Sequence, residues 1–99
     1  MAIAPALVLL VSYDIENDRD RRAVARYLQG YGERVQYSVF ECALDRWEAE
    51  RLVEGLAERS RRANGTFSVR CYSLDGRAVA RVRTIGSGGV VQDVPYYIA

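Results

Sequence analysis

Asp14 is the residue whose type and position most invite chemistry in this 99-residue chain. It ends the apolar run Ala6 to Tyr13 (ALVLLVSY) and opens onto a polar segment carrying Glu16, Asp18 and Asp20. A carboxylate at the carboxyl end of a strand suits Mg²⁺, which takes one or two carboxylates and keeps several waters. A metal-bound water can attack a phosphodiester with no histidine present. The chain contains no histidine, which excludes His general bases, Ser-His-Asp triads and His-ligated zinc. The same position also suits an ordinary strand-end acid that accepts hydrogen bonds from turn N–H groups.

Arginine is the second chemical feature. All fourteen basic residues are Arg, against thirteen acids, for a net charge of +1. No bulk field therefore attracts polyanions, and any nucleic-acid contact must come from local clustering. Planar guanidinium forks suit phosphate, although a genome-wide codon bias yields the same count. Arg19, Arg21, Arg22 and Arg26 follow Asp14 closely, near the start of the first predicted helix, where cations oppose the helix dipole. A ligand, or ion pairs with the acids at 16, 18 and 20, accounts for them. Arg59, Arg61 and Arg62 sit at the favourable end of a second helix and read as structural.

Common phosphate-binding loops are absent: neither G-x-x-x-x-G-K-[ST] nor G-x-G-x-x-G occurs. The glycine cluster Gly86–Gly89 precedes a strand-like tail, so it offers no helix N-terminus. The segment GTFSVRCY at 65–72 bears a partial likeness to the aromatic strand of an RNA-recognition motif but lacks its second glycine.

The elements that must position these residues follow from periodicity. The first apolar run reads as a strand covered on both faces. Asn17 or Asp18 caps a helix beginning near Arg19, with Val24, Tyr27, Leu28 and Tyr31 forming its apolar stripe and Gly30 and Gly32 its end. Arg34 to Leu44 is one bent strand or two strands meeting near Tyr37–Ser38. Asp45 and Glu48 form a capping box for a second helix whose buried face is Ala49, Leu52, Val53 and Leu56. Asn64-Gly65 breaks the chain before a strand from Thr66 to Leu74. Asp75-Gly76 signals a turn, and RAVARVRTI is ambiguous between short helix and strand. After the glycine joint, an apolar tail interrupted by Pro95 would leave a hydrophobic edge unless it paired with a second copy. The order predicts one α+β domain, a ferredoxin-like βαββαβ sandwich with an added C-terminal strand: residues 1–86 as the core domain, 87–99 as a tail used in dimerisation. The opening MAIAPALVLLV lacks the basic start of a signal peptide, and no apolar run is long enough to span a membrane. Cys42 and Cys71 lack metal or redox spacing, so a reduced, cytoplasmic setting is the expectation.

The run LVLLVSYDI, the stretch YLQGYGERVQYSVFECAL, and the later SVRCYSL and RVRTIG closely resemble the CRISPR-associated Cas-two family. The resemblance covers roughly residues 7 to 86, and Gln36-Tyr37-Ser38-Val39-Phe40-Glu41 is its most specific part. It implies a ferredoxin-like homodimer that acts in spacer acquisition between copies of the Cas-one integrase. It also implies a metal-dependent endonuclease, cutting single-stranded RNA or double-stranded DNA with Mg²⁺ or Mn²⁺. The family's metal-binding acid falls on Asp14, with Tyr13, Arg34 and Phe40 as contributors near the site. Its basic helix position falls on Arg21, for which Arg19 and Arg22 compete in register. In the family's 4-1-3-2 sheet, Cys42 and Cys71 are separated by the first strand. Two strand spacings make about 9.5 Å, too far for a disulfide, so two free thiols are implied.

Three functions are consistent with this reading. One is a phosphodiesterase that pairs two Asp14 carboxylates across a dimer axis. Another is a non-catalytic dimeric scaffold that bridges integrase subunits on DNA. A third is a toxin-like ribonuclease on the same fold.

Overall fold

The computed structural model describes residues 7–87. The strands β1 (Leu7–Ile15), β2 (Glu33–Gln36), β3 (Val39–Leu44) and β4 (Phe67–Asp75) alternate with the helices α1 (Asp18–Gln29), α2 (Arg46–Arg61) and α3 (Gly76–Ala80). The described strands form one sheet in the order β2-β3-β1-β4. Each neighbouring pair is antiparallel. This is the expected α+β, ferredoxin-like βαββαβ arrangement. The stretch from Arg34 to Leu44 is two strands, joined by a turn at Tyr37–Ser38. The added C-terminal strand and nearly all of the 87–99 tail lie outside the described residues.

Capping sets both long helices. The side chain of Asn17 accepts from the Asp20 N–H at 2.9 Å and starts α1 at Asp18, one residue earlier than the sequence suggested. Asp45 accepts from the Glu48 N–H at 2.8 Å while Glu48 accepts from the Asp45 N–H at 3.0 Å, closing the capping box. Such caps are worth about 1 kcal/mol each.

Strand alternation then sorts β1. Leu9, Val11, Tyr13 and Ile15 pack beneath α1 and α2 with Val24, Leu28, Phe40, Cys42, Leu52 and Leu56. Full burial of such an aliphatic side chain contributes roughly 1.5–3 kcal/mol. The α1 stripe is as expected, with Val24 and Leu28 buried and Tyr27 and Tyr31 packed against the core. Cys42 and Cys71 are both free thiols.

Three features differ from expectation. β1 is not covered on both faces. Its second face is closed only at Val8, where α3 packs on β1 and β4 and buries Val79. Leu10 and Ser12 on that face are half-buried and Asp14 is exposed. Val53 is 39% exposed and not part of the buried face of α2. The helix overhangs β4, which is an edge of the described sheet, so Val53 lines an open groove with Phe67 and Val69. The ambiguous RAVARVRTI starts as helix, because Asp75 caps α3 by accepting from the Ala78 N–H at 2.8 Å.

Two glycines are demanded by geometry. Gly65 has φ +81°, a left-handed conformation that turns the chain from α2 into β4. Gly55 forms a notch in α2: a Cβ there would lie 1.9 Å from the Tyr27 hydroxyl. Among the described residues, no helix is long and apolar enough to cross a membrane.

Candidate functional site

The carboxyl end of β1 gathers the start of α1, the β2–β3 turn and the start of β4. Tyr13 donates its backbone N–H to the Ser38 carbonyl at 3.0 Å, tying the turn to the strand. Glu16 continues the line, donating to the Thr66 carbonyl at 2.9 Å. Asp14 lies between them, opposite Ser68 of β4.

Alternation along β1 divides the expected site residues between two faces. Tyr13 is 5% exposed, on the helix side, and its ring stacks on Phe40 with centroids 6.4 Å apart. Arg34 lies across from Phe40 in register, and its guanidinium sits 5.5 Å from that ring. Tyr13, Phe40 and Arg34 are therefore one packed column. Asp14 points to the other face, where its carboxylate is exposed and takes part in no salt bridge among the described residues. The column stiffens the strand that carries Asp14, and the acid itself is free to meet a ligand.

Arg21 belongs to the same end of the sheet. Its guanidinium donates to the Ile15 carbonyl at 3.1 Å, one residue beyond Asp14, and forms an ion pair with Asp18. Hydrogen bonding to Arg21 holds the Asp18 carboxyl below its usual pKa, and the same bond, with a lesser contribution from Tyr37, raises that of Arg21. Arg21 thus braces the loop that follows Asp14. Of the residues competing for this position, Arg19 and Arg22 make no ion pair among the described residues.

The acids at 16, 18 and 20 are all engaged by the protein. Asp18 takes Arg21; Glu16 accepts from the Thr66 N–H and Asp20 from the Asn64 N–H, both at 3.0 Å. The loop acids are therefore staples to the α2–β4 connection and add no ligand beside Asp14. Sequence reading gave Glu16, Asp20 and Tyr37 no such roles. Their partners stand 50, 44 and 16 positions away in sequence, where local spacing carries no signal.

A metal centre has to be judged against that donor set. Among the described residues, no group of three or more His, Cys, Asp or Glu is disposed to hold an ion. One protomer offers the Asp14 carboxylate alone. That fits Mg²⁺ or Mn²⁺ only as half of a shared site, with water completing the shell.

The face bearing Asp14 is also incompletely covered. The segment after α3 crosses it beside β2 and β3, leaving a depression of about 500 Å³ lined by Leu10, Val35, Val39, Glu41 and Ile85. Ile85 is 95% exposed, and Tyr72 of β4, on the same face, is 47% exposed.

Residues 7–82 match the family described as CRISPR associated protein Cas2. The chain is 43% identical over 89 residues to the CRISPR-associated endoribonuclease Cas2 3 of Chloroflexus aurantiacus, covering 90% of this chain and 94% of that one. The crystal structure of Streptococcus pyogenes Cas2 at pH 6.5 is similar at a TM-score of 0.64 and 32% identity, over 80% of this chain and 99% of that one. A chain of a partial Cas6-RT-Cas1–Cas2 complex is similar at a TM-score of 0.67 and 26% identity, over 80% of this chain and 90% of its own.

Proposed function

Taking as premise that the chain belongs to the Cas2 family of CRISPR-associated proteins, we propose that it is a metal-dependent endonuclease of spacer acquisition, working as a homodimer in the cytoplasm. The observation that carries this reading is Asp14: an exposed carboxylate with no salt bridge, on a stiff central strand, at the open face of the sheet. A relative sharing 43% identity bears the name endoribonuclease, which supports phosphodiester cleavage as the reaction.

Dimerisation accounts for two features at once. The open face carries Leu10, Val39, Tyr72 and Ile85 without helical cover, a surface that a second copy would bury. The same docking brings a second Asp14 to the first. Mg²⁺ or Mn²⁺ held between the two carboxylates supplies Lewis acidity toward a phosphodiester. The chain's own contributions are mechanical and electrostatic. The Tyr13–Phe40–Arg34 column fixes the direction of β1. Arg21 holds the loop after Asp14 by its bond to the Ile15 carbonyl. Arg19 and Arg22, at the same end and free of ion pairs among the described residues, are placed to steady backbone phosphates. The tail from 87 to 99 is proposed to complete the dimer contact.

One observation favours a second reading, a scaffold without catalysis of its own. A similar chain, at a TM-score of 0.67, occurs in an assembly with Cas1. Both readings require the dimer and a Cas1 partner; only the first requires Asp14. Asp14→Asn is the discriminating variant. It should lose cleavage of single-stranded RNA and of duplex DNA in Mg²⁺ or Mn²⁺ while dimer mass by light scattering stays unchanged. Cleavage at the parent rate would remove the nuclease assignment and leave the scaffold. Truncation after residue 86 should shift the species to monomer, and a persistent dimer would show that the tail is dispensable.

A further inference from the structure

Charge is unevenly distributed over the helical layer. The acids of α1, Asp18 and Asp20, are committed to Arg21 and to the Asn64 N–H, and Arg26 is exposed without an ion pair among the described residues. On α2, Arg51 and Arg59 stand on either side of Gly55, the residue against which Tyr27 of α1 rests. Eight residues of helix put their backbones about 12 Å apart along the seam between α1 and α2. The acids of α2 are turned elsewhere. Glu48 closes the capping box, Glu58 pairs with Arg61, and Glu50 lines a depression with Ser73 and Asp75 of β4. A chain of net charge +1 thus presents a locally cationic strip.

Aromatic rings are interleaved with these arginines. The Arg59 guanidinium lies 4.0 Å from the Tyr27 ring centroid, with Tyr31 set edge-on to Tyr27 at 5.3 Å. The Arg51 guanidinium lies 4.8 Å from the Trp47 ring. Trp47 nevertheless remains 66% exposed, so one cation leaves most of its indole open to a further planar group. A cationic groove combined with aromatic faces is the recognition chemistry of unpaired nucleotides: phosphates meet the cations and bases stack on the rings. An acidic protein surface would satisfy the charges and leave the exposed indole without a purpose.

We infer that the α1–α2 seam is a second nucleic-acid surface. It binds a single strand with a base stacked on Trp47 and phosphates on Arg26, Arg51 and Arg59. The inference rests on the reading that this protein acts on nucleic acid, and assigns a holding surface distinct from the cutting one. The helices cover the sheet face of Tyr13, whereas Asp14 lies on the opposite face, so the two surfaces are on different layers.

Trp47 is the sole tryptophan of the chain, so intrinsic fluorescence of the full-length protein reports on this surface directly. Titration with short oligo-dT and oligo-U should give saturable quenching that weakens with added salt, and the relative strength of the two arms shows which sugar is preferred. Trp47→Ala should weaken binding of fluorescein-labelled oligo-dT by roughly 5- to 100-fold, the range for one stacked base. Trp47→Phe should retain most of the affinity, and neither variant should shift the thermal midpoint, because the ring is mostly exposed. The double variant Arg51→Gln, Arg59→Gln should flatten the salt dependence. Unchanged Trp47 emission while the labelled strand is bound would overturn the inference. So would equal quenching by a blunt duplex, or by polyglutamate as a stand-in for an acidic protein. Asp14→Asn separates the two proposals. It should keep the quenching while losing cleavage; normal cleavage with quenching intact would refute the nuclease centre and leave this surface standing.

Discussion

Replacing Gly55 with alanine tests how the two long helices are locked together. Alanine normally improves a helix interior by about 1 kcal/mol relative to glycine. Here the added Cβ would lie 1.9 Å from the Tyr27 hydroxyl and 2.5 Å from its Cζ, so the ring must move. That hydroxyl lies 3.2 Å from the Leu52 carbonyl and 3.3 Å from that of Arg51, and the ring is covered by Arg59 at 4.0 Å. Displacement forfeits a hydrogen bond worth about 1 kcal/mol and weakens a cation–π contact worth roughly 0.5–1 kcal/mol. Overpacking strain in such sites runs to roughly 1–3 kcal/mol. These costs overlap, and after the propensity gain the expected net loss is about 1–2 kcal/mol. For a domain of this size that lowers the melting temperature by roughly 5–15 °C. The assay is thermal and urea unfolding at fixed protomer concentration, since association shifts apparent stability. In a Tyr27→Ala background the notch is empty, and Gly55→Ala should then stabilise by about 1 kcal/mol. The sign change between backgrounds is the signature. A Gly55→Ala protein more stable than the parent, or an equal effect in both backgrounds, would refute the interlock.

Other perturbations have equally definite outcomes. Asp45→Ala opens the capping box of α2 and should cost about 1 kcal/mol in urea unfolding, with Asp45→Asn retaining most of it. Glu16→Ala removes the acceptor of the Thr66 N–H, so hydrogen exchange at that amide should quicken by about tenfold with little change in global unfolding. Burial, with smaller effects from Cys71 and Glu41, pushes the Cys42 thiol up to about 12 from 9.0. The folded state then keeps a proton that the unfolded state releases. Stability should therefore be intact below pH 9, fall as pH rises from about 9 to about 12, and fall less in Cys42→Ala. Burial pushes the Cys71 thiol up too, but its side chain is at the surface, so at pH 8 an alkylating reagent should modify Cys71 well before Cys42.

Sequence by itself determined the local elements. Periodicity placed the Val24–Leu28 stripe on α1, and the Asp45–Glu48 spacing marked the start of α2, because caps and amphipathic faces are set by residues within a turn or two. The motif around Gln36–Glu41 identified the family, and the apolar run before Asp14 identified the central strand. Tertiary structure decided the rest. Strand alternation put Tyr13 and Asp14 on opposite faces, so the family's site residues divide into a buried Tyr13–Phe40–Arg34 column and an exposed acid. Glu16 and Asp20, which in sequence look like companions for Asp14, are drawn to the backbone of residues 64–66. Val53 fits the apolar spacing of α2 and is left in the open because the described sheet ends beneath it. The physical reason is common to all three. A side chain's neighbours along the chain are fixed by the geometry of its own helix or strand, whereas its partners across the fold exist only once the sheet order has brought distant segments together.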